Sequence, residues 1–111
     1  MKTISIRFSD MDKKTLLYLG YVGENLHRRV LIDCKKEFEE MPGAIPALVV
    51  TAPNGVKYPV NVTVEGNTVM WDITNSDLIH HGNGEIQLAL VKDEEIGKSA
   101  RCRTKIDESI E

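Results

Sequence analysis

The residues able to do chemistry in this sequence are few and scattered. Its one histidine cluster is His80-His81. Side chains of adjacent residues diverge, and no Cys, Asp or Glu stands at zinc-ligand spacing around them, so the pair reads as a wet loop rather than a metal centre. Gly82-Asn83-Gly84 reads as a turn into a strand, not the strand-to-helix loop that cradles phosphate, which argues against nucleotide binding. Asn61-Val62-Thr63 matches a glycosylation sequon but, with no secretory signal, reads as a strand's polar face. No serine lies in a nucleophile-elbow context, and no paired carboxylates flank an obvious cleft. The expectation is a protein that is not an enzyme, with no metal and no cofactor.

Cys34 and Cys102 allow one bridge, with Trp71 between them. That spread superficially resembles the immunoglobulin pattern, where the tryptophan lies much closer to the first cysteine. The simpler reading is two small buried hydrophobes in a cytosolic protein. Arg101, Arg103 and Lys105 form a basic stripe along one strand face. It reads as a solvated edge whose charges discourage aggregation, in preference to a phosphate site.

Composition narrows the classes further. A chain of 111 residues is long enough for one domain, and 41% hydrophobic with 28% charged residues is ordinary for a soluble globular one. A net charge of −3 disfavours nucleic-acid binding through bulk electrostatics. No apolar run has the length of a membrane span, and Met1 to Arg7 lacks the apolar core of a signal peptide. The expectation is therefore synthesis in a reducing cytoplasm, with no membrane partner.

The elements centre on Tyr58 to Thr74. Val60, Val62 and Val64 alternate with polar residues, as do Val69, Trp71 and Ile73, and Gly66-Asn67 between them suits a type II′ turn. The turn sets Glu65 against Thr68, Val64 against Val69, Val62 against Trp71 and Val60 against Ile73, placing all six large apolar groups on one face. Burying them contributes about 9–18 kcal/mol before chain entropy, and a lone hairpin cannot bury them, so the rest of the chain must cover that face. Thr3–Phe8, Leu16–Tyr21 and Leu26–Asp33 read as strands, the last pointing Val30 and Ile32 inward. Asp33 caps a short helix carrying Cys34, Phe38 and Met41 on one stripe, stopped by Pro42-Gly43. Ala47–Ala52 is apolar on both faces, as in a strand covered on both sides. Asn75–Gly82 reads as one helical turn, Gly84–Lys92 as a strand, and Ile96–Ile106 as a long final strand. The sum is an all-β, antiparallel β-sandwich, immunoglobulin-like or jelly-roll-like, of about eight strands with one short helix. It spans residues 1–106, with 107–111 starting a linker or tail.

Leu31, Ala89 and Val91 fall on the outward side of their strands. If those strands are neighbours, the three make a possible assembly surface. Cover by a loop is the competing reading.

The order of landmarks resembles the N-terminal β-sandwich domain of phage baseplate upper proteins and related tail or head fibre proteins of phages of Gram-positive bacteria. The likeness rests on Ile4-Ser5-Ile6, on Val22-Gly23-Glu24-Asn25 leading to Ile32-Asp33, and on Ala47-Leu48-Val49-Val50 followed by Tyr58-Pro59-Val60. Val69-Met70-Trp71 followed by Gly82-Asn83-Gly84-Glu85-Ile86-Gln87-Leu88, and the final strand at Lys98-Ser99, complete it. It covers nearly the whole chain, through structural glycines, prolines and core residues. The resemblance implies a virion structural protein, made in the host cytoplasm, whose domain anchors on other phage structural proteins, often as a homo-oligomer. Such proteins carry a shaft and tip C-terminal to the sandwich, and this sequence stops after it, so the expectation is an anchoring or adapting module, or a piece of a longer fibre protein. The alternative is a glycan-binding module for host-surface recognition, for which Tyr18, Tyr21 and Tyr58 are the available aromatics. A small inhibitor or host-takeover protein is a third reading.

Overall fold

The computed structural model describes residues 1–110. The strands are β1 (Lys2–Arg7), β2 (Leu16–Tyr21), β3 (Arg28–Asp33), β4 (Ile45–Thr51), β5 (Lys57–Val60), β6 (Thr63–Glu65), β7 (Thr68–Asp72), β8 (Gly82–Lys92), β9 (Glu95–Lys98) and β10 (Cys102–Asp107). A 3-10 turn covers Phe8–Asp10, and the one α-helix, α1, is Lys35–Glu40. Four strands form one sheet in the order β1-β3-β7-β6. Six form the other, β2-β10-β8-β4-β5, with β9 also paired to β8. Their inner faces meet in one hydrophobic core, so the chain is an all-β sandwich with one short helix.

The sheets are mixed rather than wholly antiparallel. β1 pairs with β3 in parallel, and β2 with β10 in parallel. The reason is connectivity: β2 lies in the sheet opposite β1 and β3, so the chain reverses twice before β3 is laid beside β1. Ten strands form instead of about eight because two predicted long strands are each broken.

The first break is in the central hairpin. Its tip forms as the turn residues dictate, with Gly66 at φ +60, Glu65 paired to Thr68 and Val64 to Val69. Trp71 is 1% exposed, buried with Val69 and Ile73. Beyond Thr63, however, the arm leaves β7. Asn61 and Val62 carry the chain across to the other sheet, where β5 pairs with β4 and not with β7. The predicted Val62–Trp71 and Val60–Ile73 pairings therefore do not form; Val60 and Val62 pack at the margin of the core. Val64, on the edge strand β6, is 47% exposed. Pro59 sits on the edge strand β5, where its missing N–H costs no ladder bond.

The second break divides the predicted final strand. β9 pairs with Ala89–Lys92 of β8 and β10 with Gly82–Ile86, both on the same flank. Between them Ser99 is buried, its N–H donating to the Leu88 carbonyl and its hydroxyl accepting from the Leu88 N–H. β10 is thus an interior strand, and the basic stripe on it is not at a sheet edge.

Other local expectations are met or adjusted. Asp33 accepts a hydrogen bond from the Lys35 N–H at the start of α1, although Cys34 occupies the cap position itself. Cys34 and Met41 are buried. Asn75–Asp77 is a turn, held by Asp77 accepting from the Thr74 N–H and hydroxyl, and not a helical turn. Asp107 belongs to β10, and Glu111 of the predicted tail lies outside the described residues. No helix among the described residues is long and apolar enough to cross a membrane.

Gly82-Asn83-Gly84 lies inside β8 rather than before it. A Cβ on Gly84 would run into the backbone carbonyl of Thr51 and press on the Thr104 hydroxyl. Backbone cannot yield as a flexible side chain can, so Gly84→Ala should destabilise by about 1–3 kcal/mol, read from the urea unfolding midpoint.

Cys34 and Cys102 are free and fully buried. Burial pushes their thiol pKa values up from the ordinary 9.0, to about 12 for Cys34 and about 11 for Cys102. A group whose folded pKa is raised stabilises the fold below its unfolded value. That contribution should be complete below about pH 9 and fall as pH rises through 11 and 12. At neutral pH neither thiol should react with a disulfide reagent until the protein unfolds.

Candidate functional site

Strand alternation sends Leu48 and Val50 of β4, and Ile86, Leu88 and Leu90 of β8, into the core. The intervening residues point out of the sandwich, and the register aligns them in rows. Ile45 pairs with Val91, which pairs with Ile96 on β9. The next row is Ala47, Ala89 and Lys98. The third is Pro59, Val49 and Gln87. Ile45 is 70% exposed, Ile96 59% and Val49 38%. No element of the described chain covers them, so β4 is apolar on both faces but buried on only one. Below these rows the face turns polar: Lys57, Thr51, Glu85 and Arg103 share a register line. An apolar patch bounded by charge on the outside of a sheet is the pattern of a protein contact surface.

Of the residues singled out from sequence, Ala89 and Val91 lie in this patch and Leu31 does not. Leu31 is on β3, in the other sheet, between Ser5 and Met70. Met70 is its one apolar partner there, and Arg29 and Asp72 form an ion pair at the next outward register position. Hydrogen bonds from Arg29 hold the Asp72 carboxyl below its ordinary pKa. Leu31 also borders an open groove with Ser5, Arg7, Asp33, Lys35 and Thr68, whose mixed charges converge on no single ligand chemistry.

The patch residues not foreseen are Ile45, Ala47, Val49 and Ile96. Ala47 and Val49 carried a signal, since an alternating strand with apolar residues on both faces needs either two covers or a partner. Ile96 carried a misleading one. In an unbroken strand it shares a face with Cys102, but the interruption at Ser99–Arg101 shifts the parity by one residue and turns Ile96 outward.

Two of the aromatic candidates, Tyr18 and Tyr58, are engaged elsewhere, and Tyr21 is exposed. The Arg28 guanidinium carbon lies 4.9 Å from the centre of the Tyr18 ring, and Tyr21 meets that ring edge-on at 5.9 Å. The Tyr58 hydroxyl donates to Asp77 at 2.9 Å, and burial raises its pKa. His80 and His81 are exposed, and among the described residues no group of three or more His, Cys, Asp or Glu could hold a metal ion.

No family model matches the chain, and no curated protein matches it. Among solved structures, the N-terminal domain of phage TP901-1 ORF48 matches with a TM-score of 0.58 at 9% sequence identity, over 96% of this chain and 97% of that chain. At that identity the likeness is one of fold, and it extends over both chains almost end to end.

A sandwich fold does not require an apolar exterior, so the outer rows can be separated from folding by substitution. Ile96→Ser should leave unfolding free energy within about 0.5 kcal/mol of the parent. Ile86→Ser, on the inner face of the same sheet, should cost several kcal/mol. Chemical denaturation of the two variants makes the comparison.

Proposed function

We propose that this chain is a structural module of a phage particle, attaching through the outer face of its six-stranded sheet and doing no catalysis. The observation that carries this reading is the outward row Ile45–Val91–Ile96, three β-branched side chains side by side, the outer two exposed and Val91 half-buried between them. Leaving such a surface in water is a cost in solubility that a binding role offsets. The fold likeness to a phage protein's N-terminal domain supports the setting. The partners in this reading are other structural proteins of the particle and further copies of the chain. Its place is the virion, after synthesis in the host cytoplasm.

A glycan-binding role is less well supported. Such a site needs an aromatic face open to stack on a sugar ring; Tyr18 and Tyr58 spend theirs on Arg28 and on the core margin, which leaves Tyr21, exposed beside Tyr18, as the one open ring of the three.

Val91→Asp tests the reading directly. The substitution places a charge in the middle of the Ile45–Val91–Ile96 row, on the side of β8 away from the core, so the variant should fold with unchanged near-ultraviolet dichroism from Trp71. In cells producing particles, its copurification with them should fall at least tenfold, equivalent to about 1.4 kcal/mol. Equal incorporation of parent and variant would remove this face from the function.

A further inference from the structure

We infer that Asn54-Gly55, in the turn between β4 and β5, is a site of spontaneous covalent modification, where the side-chain amide is lost as ammonia. The product is aspartate or its β-linked isomer. Six asparagines are present, and two of them precede glycine, Asn54-Gly55 and Asn83-Gly84. In such a pair no side chain on the second residue keeps its backbone nitrogen from the Asn side chain. The other four precede Leu26, Val62, Thr68 and Ser76, all bulkier. The reaction needs only water and a mild base. The base takes the proton of the Gly55 nitrogen, which bonds to Asn54 Cγ. The Cγ–Nδ2 bond then breaks, and Nδ2 leaves as ammonia with a proton returned by the base. Water opens the resulting five-membered imide ring. Attack at Cγ yields aspartate, and attack at the main-chain carbonyl carbon of residue 54 leaves Gly55 joined through Cγ. Nothing is oxidised or reduced; water enters, ammonia leaves and one carboxylate is gained.

The fold separates the two Asn-Gly pairs. Asn83 lies inside β8, paired to Lys105, with Gly84 paired to Thr104 and set close against the Thr51 carbonyl. Turning the Asn83 side chain back onto the Gly84 nitrogen would require leaving the extended conformation and breaking that pairing. Asn54 is exposed at a turn tip, and Gly55, at φ +88, has no atom within 4 Å of where a Cβ would stand. The Gly55 N–H donates to the Ala52 carbonyl at 2.8 Å, one exposed turn bond that must open for reaction. The Asn54 Oδ1 accepts from the Val56 N–H at 3.1 Å. That bond bends the side chain back along its own peptide, and it places a donor on the oxygen that gathers charge as the nitrogen attacks. Asn25 is held differently, its Oδ1 accepting from the Asn75 N–H of another loop. Aspartate at position 54 keeps the bond from Val56. The β-linked form lengthens the main chain by one atom inside a closed turn, which loosens the adjoining Thr51–Lys57 pair of β4 and β5.

Peptide mapping by mass spectrometry, on the folded chain held in mildly alkaline buffer at physiological temperature, tests this. Asn54 should convert at least about tenfold faster than Asn83, a barrier difference of about 1.4 kcal/mol. In heavy-oxygen water the product should carry the label. Anion exchange should resolve a species whose formal net charge has moved from −3 to −4 by the one carboxylate gained. Asn54→Ser should abolish that species at an unchanged thermal midpoint, since a serine hydroxyl can take the same bond from Val56. In the urea-unfolded chain the two pairs should react at similar rates, because the strand that protects Asn83 is gone. An Asn54 that stays intact in the folded chain, or that Asn83 matches or outpaces, overturns the inference. So does an Asn83 as slow unfolded as folded, for then the flanking sequence and not β8 protects it.

Discussion

Everything in this fold depends on keeping the Trp71 indole dry. Trp71 lies on β7 opposite Val30 and between Val69 and Ile73, all buried. The four-stranded sheet that carries it is too narrow to bury so large a group alone, and the inner faces of β4, β8 and β10 supply the other wall through Leu48, Leu88 and Cys102. The indole Nε1 has no hydrogen-bond partner among the described residues, a cost of about 1–3 kcal/mol. The area the side chain removes from water outweighs that cost, since aromatic residues bury about 150–250 Å² each. The demand for two walls explains the traffic between sheets: the chain crosses after β1, after β2, after β3, at Asn61–Val62 and again after β7.

That traffic marks what could be read from the sequence and what could not. Local chemistry was legible. Gly66 takes the positive φ that a II′ turn requires, β2 spans Leu16–Tyr21 as its composition suggests, and the stripe of Cys34, Phe38 and Met41 folds as a helix and its caps. Sheet membership was not. Whether Val60 pairs with Ile73 or with Leu48 is decided by which partner surface lies across the core, and the alternation of β5 is the same in either case. The parallel pairs arise from the same blindness, because a strand's pattern records that one face is buried and not the direction of its neighbour.

The candidate surface was legible in half. Ala89 and Val91 stand out because outward residues on an alternating strand are usually polar. Ala47 and Val49 were concealed by a reasonable inference, that a strand apolar on both faces is covered on both, and Ile45 because the strand begins two residues before its predicted start at Ala47. Leu31 points outward as read but lies in the other sheet, and Ile96, given no face from sequence, is turned outward by the single-residue shift at Ser99. Errors of this kind have a common origin: side-chain direction has a period of two, so one irregular residue reverses every later assignment on its strand.

Why an apolar outer face persists at all is the remaining question, and stability does not answer it. The core beneath is complete; Leu48, Val50, Ile86, Leu88 and Leu90 are buried irrespective of what lies on the other side of the sheet. Threonine would serve β4 and β8 as well for strand propensity while keeping the exterior wet. The edges of the same sheet are defended, β5 by Pro59 and Lys57 and β2 by the register irregularity where it meets β10. On such a sheet the defended edges disfavour strand addition, and what the apolar outer face presents is side chains. The contact such a surface favours is therefore one between layers, side chain against side chain, with the backbone ladders left as they are.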